Sequence, residues 1–379
     1  MAGIYIHIPF CKKACNYCDF HFSTSLKFQD EMLLAICKEI ESRKEYMSSE
    51  TIETIYFGGG TPSLPESKFI DQIVNVIHKN FHVHSSAEIT LEANPDDLTI
   101  EKLKDFKNTG INRLSIGIQS FDDTILKYLN RIHDGQQAKK CIDFAQALGY
   151  DNISVDLIYG IPETDSNYWN KTLEQINELQ IQHLSAYCLT IETKTVFGNK
   201  VTKGKMNIPD EEIGYSNLNT LLDFCSNNNF EQYEISNFCK EGFHSKHNSS
   251  YWFQKNYLGI GPGAHSYNGT ERRINISNNP KYIEALKTNN NYYEIEVLTK
   301  LDKINEYILT SLRTKWGIDT NHLKEKYNYD ILRNKKISKF VKDNTLILNN
   351  NTIKLTKTGI MIADFVILEL FEDYGYKYE

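Results

Sequence analysis

IYIHIPFCKKACNYCDFHF, residues 4–22, runs from an apolar segment of strand character straight into three cysteines, Cys11, Cys15 and Cys18, spaced C-x3-C-x2-C. Four thiolates hold an ordinary electron-transfer iron–sulfur cube. Three on one short loop leave one iron of a [4Fe-4S] cluster without a protein donor, and an open metal position is where a small molecule can bind and react. Two plainer readings compete. His21 would complete C-x3-C-x2-C-x2-H for a structural zinc ion, a spacing unlike the usual knuckles and fingers. A disulfide framework would leave one thiol over. The other five cysteines, Cys37, Cys141, Cys188, Cys225 and Cys239, form no C-x-x-C pair and read as small apolar core residues.

Outward from this loop, β-patterned segments recur at 3–9, 54–57, 88–93, 113–119, 152–159 and 183–189. Between them lie stretches of helical periodicity such as 30–47, 67–81 and 134–148. Strands alternating with helices predict βαβ units and a parallel sheet. Six repeats predict an α/β fold, a partial (β/α)6 TIM-like barrel, whose chemistry belongs on loops at the carboxyl ends of the strands. After about residue 190 the alternation fades. Residues 232–265 are aromatic and glycine-rich, 268–291 read as a polar linker, and from about 298 the order helix, helix, helix, hairpin (345–355), helix predicts a winged-helix-like α+β domain. The expected divisions are 1–235, 236–295 and 296–379.

The 379 residues are 40% hydrophobic, with a formal charge of −7. That balance argues against a nucleic-acid footprint, which would show as a basic face. No run of 18 apolar residues predicts a membrane span. Residues 1–10 lack the basic start and small-residue cleavage site of a secretory signal. Eight cysteines without such a signal point to a reducing compartment, so the expected location is the cytoplasm.

The strand ends carry further candidates. Gly58-Gly59-Gly60-Thr61-Pro62 follows the second segment, and glycines there allow close backbone approach to a ligand. Alone, the same run could be a turn. Glu92, in LEANPDD, ends the third strand, where a carboxylate can hold a ribose diol; a surface acid is the alternative. Gln119 ends the fourth strand, Arg131 lies in LNRIHD and Asp156 in DLIYGIP. A buried Arg and Asp need partners, which a zwitterionic ligand or a mutual ion pair would supply.

IYIHIPFCKKACNYC, FGGGTPS, LEANPDDL, RLSIGIQSF, LNRIHD and DLIYGIP, in this order, resemble the radical S-adenosylmethionine (SAM) superfamily, and within it the branch containing anaerobic coproporphyrinogen III oxidase and the HemW-type heme chaperones. The resemblance spans about residues 3–270, and the C-terminal block is similar to that branch's extra domain. It implies that Cys11, Cys15 and Cys18 ligate a [4Fe-4S] cluster whose fourth iron SAM chelates. It implies SAM contacts at Tyr5, Tyr17, Gly59, Gly60, Thr61 and Glu92. Gln119, Arg131 and Asp156 match contacts to a second SAM in the oxidase, although Thr190 stands where the oxidase has Ala.

Phe20 occupies the position of the oxidase's fourth cysteine, and the run ahead of Cys11 is short compared with the oxidase's N-terminal extension. Both contrasts favour the chaperone side of the branch. H-N-x-x-Y-W at 247–252 resembles that side's heme signature. His247 offers an imidazole for iron, with Tyr251 and Trp252 as flat apolar area; His244 and His265 are competing ligands, and a structural role for the motif is the alternative. The resemblance implies heme as cargo, an acceptor such as a membrane respiratory enzyme, an electron donor such as flavodoxin or ferredoxin, and no nucleic acid. Oxygen-independent coproporphyrinogen III oxidation is the alternative function.

Overall fold

The computed structural model describes residues 2–372 apart from 48, 49, 163, 165 and 166; the last seven residues of the expected 296–379 division lie outside these. Six strands, β1 (Ala2–Ile8), β2 (Ile52–Gly59), β3 (Val83–Ala93), β4 (Arg113–Gln119), β5 (Ile153–Tyr159) and β6 (His183–Cys188), pair in parallel in chain order. Helices such as Gln29–Ser42, Ser67–Asn80 and Gly135–Ala147 connect them.

The alternation of side chains explains the curvature into a partial barrel. In β1, Ile4, Ile6 and Ile8 are fully buried on the helix side, each stabilising the fold by about 1.5–3 kcal/mol. Tyr5 and His7 take the opposite face. Thr54 and Tyr56, Glu88 and Glu92, Arg113 and Ser115, Ser154 and Asp156, and His183 and Ser185 do the same in β2 to β6. The lumen is therefore lined with polar and aromatic groups tied across strands: Tyr56 donates to Glu92 at 2.8 Å, Ser115 to Asp156 at 3.3 Å, and Ser154 bonds His183 at 2.7 Å. Outside, the helices lay apolar stripes on the sheet, such as Phe69, Ile70, Ile73, Val74 and Ile77 of Ser67–Asn80.

The sheet does not stop at six strands. Beyond β6 come β8 (Asn237–Cys239) and β7 (Glu231–Gln232), and beyond β1 come β9 (Tyr257–Ile260), β10 (His265–Tyr267), β11 (Glu271–Asn275) and β12 (Tyr293–Val297). Strand β9 pairs in parallel with β1, so the first strand is not an edge. The extension is pinned by Glu39, fully buried in helix Gln29–Ser42. Its carboxylate accepts from Gly261 N at 2.8 Å, Asn275 Nδ2 at 2.8 Å, the Tyr282 hydroxyl and Arg43. Burial pushes the pKa of Glu39 up, and these donors with Arg43 oppose the shift.

The expected linker at 268–291 is instead ordered structure, comprising β11 and the helix Asn279–Thr288. Its Asn-rich composition hides a helix start, Asn278 capping Lys281 N with Pro280 in the first turn, and an apolar face of Tyr282, Ile283 and Leu286 packed into the core.

The C-terminal region has its own core, including Ile304, Ile308, Leu312, Leu323, Phe340, Ile353 and Val366. Helices Lys300–Leu312, Thr320–Tyr327 and Lys335–Lys342 precede a hairpin of β14 (Leu346–Asn349) and β15 (Thr352–Leu355), and Ala363–Leu370 follows. The winged-helix-like order stands. A two-residue strand, β13 (Ile318–Asp319), joins β15 and was too short to show a period.

Candidate cluster and cofactor site

The loops after β1, β2, β3 and β4 converge on a cavity of about 460 Å³ at the carboxyl ends of the strands. Cys11, Cys15 and Cys18 line it together with Tyr17, Gly59, Gly60, Thr61, Glu92, Gln119, Arg131 and Asp156. Eleven of the thirteen site residues expected from sequence are thus brought to one place. The other two, Tyr5 and His247, are not.

The cysteine loop is held by the rest of the barrel. Asn130 Nδ2 donates to Ala14 O at 2.6 Å, Asn16 Nδ2 to Tyr128 O at 2.7 Å, and Lys12 pairs with Asp96 and Asp97 at 2.7 and 2.5 Å. Among the donors that reach the sulfurs are Thr61 Oγ1 to Cys11 and Arg131 Nη1 to Cys15, both at 3.4 Å. Burial pushes the Cys11 and Cys18 thiols up to about 11, so metal loading must displace protons. Among the described residues, no three His, Cys, Asp or Glu side chains gather as a ready cage for a metal ion. His21 turns away from the thiols, with Nε2 on Asn279 Oδ1 at 2.7 Å, which removes the fourth ligand of the zinc reading.

The glycine run is required by space. A Cβ on Gly60 would lie 2.7 Å from the backbone N and O of Phe10, and Gly59 sits at φ +104° with the His7 ring where a side chain would go. Its amide donates to Glu92 Oε2 at 3.2 Å, while Tyr56 donates to Oε1. Burial raises the Glu92 pKa to about 7, against the pull of the Tyr56 hydrogen bond, and raises Asp156 to about 6. Gln119 is at φ +68° beside a register shift in β4, a strained conformation of the kind found at ligand sites. Arg131 Nη2 is shared between Asn94 Oδ1 and Gly117 O, both at 2.6 Å, and its Nε is buried without a partner among the described residues.

Tyr5 stacks on Tyr56 with centroids 6.2 Å apart and bonds His7; it lines a second cavity, next door. His247 is the second residue of the helix Lys246–Trp252, which packs on β1 and β2 at the amino-terminal end of the barrel. Glu88 accepts from the backbone amides of Lys246 and His247, each at 3.1 Å. The ring is 1% exposed, stacks on Tyr56 at 5.0 Å and bonds Thr54 Oγ1 and Tyr251 Oη, both at 2.8 Å. Burial, with Arg113 nearby, lowers its pKa to about 3. Both ring nitrogens are engaged, so the expected heme ligand is seated as a core residue. His244 lies elsewhere, between Tyr233 and Trp316.

Residues 5–176 match the Radical SAM superfamily, and residues 298–362 match the HemN C-terminal domain. The heme chaperone HemW of Bacillus subtilis (strain 168) is 34% identical over 330 residues, 86% of this chain and 87% of that protein. The chain belongs to the HemW family of radical SAM proteins. HemW of Lactococcus lactis is 30% identical over 97% of both chains. The solved coproporphyrinogen III oxidase (HemN) from Escherichia coli shares the fold, with a TM-score of 0.85 over 98% of this chain and 90% of that one at 21% identity.

Membership of the HemW family implies a [4Fe-4S] cluster and SAM, and the site fits both. Three thiols flank a cavity with a close-approach glycine cradle, a largely buried acid, Glu92, and an Arg nitrogen without a partner among the described residues. Among the described residues no helix is long and apolar enough to cross a membrane. Sequence reasoning passed over Asn94, which links Arg131 to Thr61, and Ser115, which holds Asp156. Asn94 lies two residues after Glu92 in the same motif, so it was within reach of the pattern.

Proposed function

We propose that this protein is a cytoplasmic heme chaperone that binds heme and passes it to an acceptor, with a membrane respiratory enzyme as the expected recipient. The observation that carries the reading is the likeness to HemW proteins over nearly the whole chain, joined to Phe20 at the position where the oxidase has a fourth cysteine. The Phe20 side chain, 68% exposed beside the cluster loop, is a hydrocarbon and supplies no metal ligand there.

In this reading residues 1–235 form the catalytic-type barrel. Cys11, Cys15 and Cys18 hold the cluster, with flavodoxin or ferredoxin as the class of electron donor. Gly59, Gly60, Thr61, Glu92 and Tyr17 hold SAM; Tyr5 supports Glu92 from behind through Tyr56. Gln119, Arg131 and Asp156 line the far wall, where Arg131 also tethers the cysteine loop. When bound, cluster and SAM supply one-electron radical chemistry, and the protein's task is to orient them and exclude water.

The test is paired. Anaerobically reconstituted protein is titrated with heme, following the Soret band, and separately incubated with coproporphyrinogen III, SAM and a reductant. Saturable one-to-one heme binding without decarboxylation is the expected result. Conversion to protoporphyrinogen IX would establish the oxidase instead.

A further inference from the structure

His247 has no free ring nitrogen, yet it touches a wall that does face open space. Its Nε2 holds the hydroxyl of Tyr251, one turn along the helix, and Tyr251 lines the second cavity, of about 790 Å³. That volume is in the range of small-molecule and cofactor sites, about 300–1,000 Å³. The cavity lies between the β9–β10 extension and helix Lys300–Leu312, and it shares Asp19 and Phe20 with the cluster cavity.

One wall is aromatic. Tyr257 and Tyr267 are paired across β9 and β10, and Tyr251 meets Tyr257 edge-on at 4.7 Å. Leu309 lines the cavity from the C-terminal region. The charges on it are Asp19, Glu306 and Arg272, whose guanidinium is shared between Glu296 and Glu306. Gln254, at φ +52°, lines the cavity with its Nε2 buried and without a partner among the described residues.

Three imidazoles reach this cavity, and among the described residues only His265 has neither ring nitrogen in a hydrogen bond. His7 uses both nitrogens, on His21 O at 2.8 Å and the Tyr5 hydroxyl at 3.1 Å. His21 gives Nε2 to Asn279. His265, on β10, is exposed, and no hydrogen bond of its ring occurs among the described residues. A large cavity with a tyrosine wall, one uncommitted imidazole and an unsatisfied amide suits a flat, largely apolar, metal-bearing macrocycle.

We propose that the second cavity is the heme site, with the His265 imidazole as iron ligand, the Tyr251–Tyr257–Tyr267 wall against the macrocycle, and His247 as the positioning residue that holds Tyr251. This rests on the heme-binding reading above. It also makes Phe20 the partition between heme and SAM, two ligands in adjoining chambers.

The experiment titrates ferric heme into the reconstituted, SAM-loaded protein and three variants, His265→Gly, Leu309→Trp and His247→Gln, recording affinity, Soret position and spin state. His265→Gly is expected to weaken binding at least tenfold with a changed spectrum, and added imidazole is expected to restore the parent spectrum. Leu309→Trp projects an indole into the cavity and is expected to weaken binding at least tenfold, while its cluster absorbance stays at the parent level. His247→Gln, which keeps a polar partner for Tyr251, retains the parent spin state with a smaller loss of affinity. Parent-like titrations in both His265→Gly and Leu309→Trp would place heme elsewhere and overturn the inference while leaving the chaperone reading standing. Loss in Leu309→Trp with an unaltered spectrum in His265→Gly would overturn the ligand assignment. Absence of specific binding in the parent would overturn both.

Discussion

Replacing His247 by Gln tests whether the histidine of the H-N-x-x-Y-W motif is a core residue or a solvent-facing ligand. In the fold its ring is buried, and its pKa is lowered from 6.5 to about 3. The unfolded chain therefore takes up a proton near pH 6.5 that the folded chain refuses. Stability is unaffected above that pH and falls as pH drops from 6.5 towards 3. The slope is about 1.4 kcal/mol per pH unit, so acidification from 6.5 to 5 removes roughly 2 kcal/mol. His7 and His133, both lowered to about 4, and His183 add their own losses, but these are common to parent and variant. His247→Gln cannot titrate, so its stability should fall by about 2 kcal/mol less over that interval. Urea denaturation at several pH values, run on parent and variant in the same metal-free state, reads this difference, and histidine-selective NMR checks the midpoint. Parallel pH profiles, or a His247 midpoint near 6.5, would put the imidazole in water and refute the buried assignment.

Other perturbations follow from the cluster cavity. Cys11→Ala, Cys15→Ala or Cys18→Ala should each abolish cluster absorbance near about 400 nm and the corresponding iron and sulfide content. Gly60→Ala drives a methyl into the Phe10 backbone, 2.7 Å away, and should cost at least tenfold in SAM affinity by calorimetry. Glu92→Gln replaces a carboxylate with an amide, and losing a charged hydrogen bond of about 1.5–3 kcal/mol weakens SAM about 10- to 100-fold. Because the Glu92 pKa is raised to about 7, the parent's SAM affinity should rise between pH 6 and 8 as the carboxylate forms, and the variant's should rise less over the same interval.

What the sequence revealed and what it withheld follow from distance along the chain. Strands β1 to β6 were legible because each carries period-two apolar residues, as in Ile4, Ile6 and Ile8, and each is bounded by helical periodicity. Cys11, Gly59, Glu92 and Gln119 were legible because in a barrel the residues that end strands converge. The seat of His247 was not. It depends on Glu88, 159 positions away, accepting the helix's first amides, and on Thr54, 193 positions away, meeting the ring. The same motif in a line of letters reads equally well as a ligand. The helix Asn279–Thr288 was missed for a different reason: its asparagines suggested a linker, while the spacing of Tyr282, Ile283 and Leu286 already carried a buried face.

The pairing of β1 with β9 bears on how the chain acquires its shape during synthesis. Ile6 lies opposite Ile260, so β1 waits for a partner made 254 residues later. At roughly 5–20 residues per second, that is on the order of 10–50 s of translation. Through that interval one side of β1 presents unpaired amides and carbonyls, with the three cysteines on the loop beside it. The nascent barrel is thus open along one seam after the cysteine loop has been made, and only emergence of the distal segment closes it.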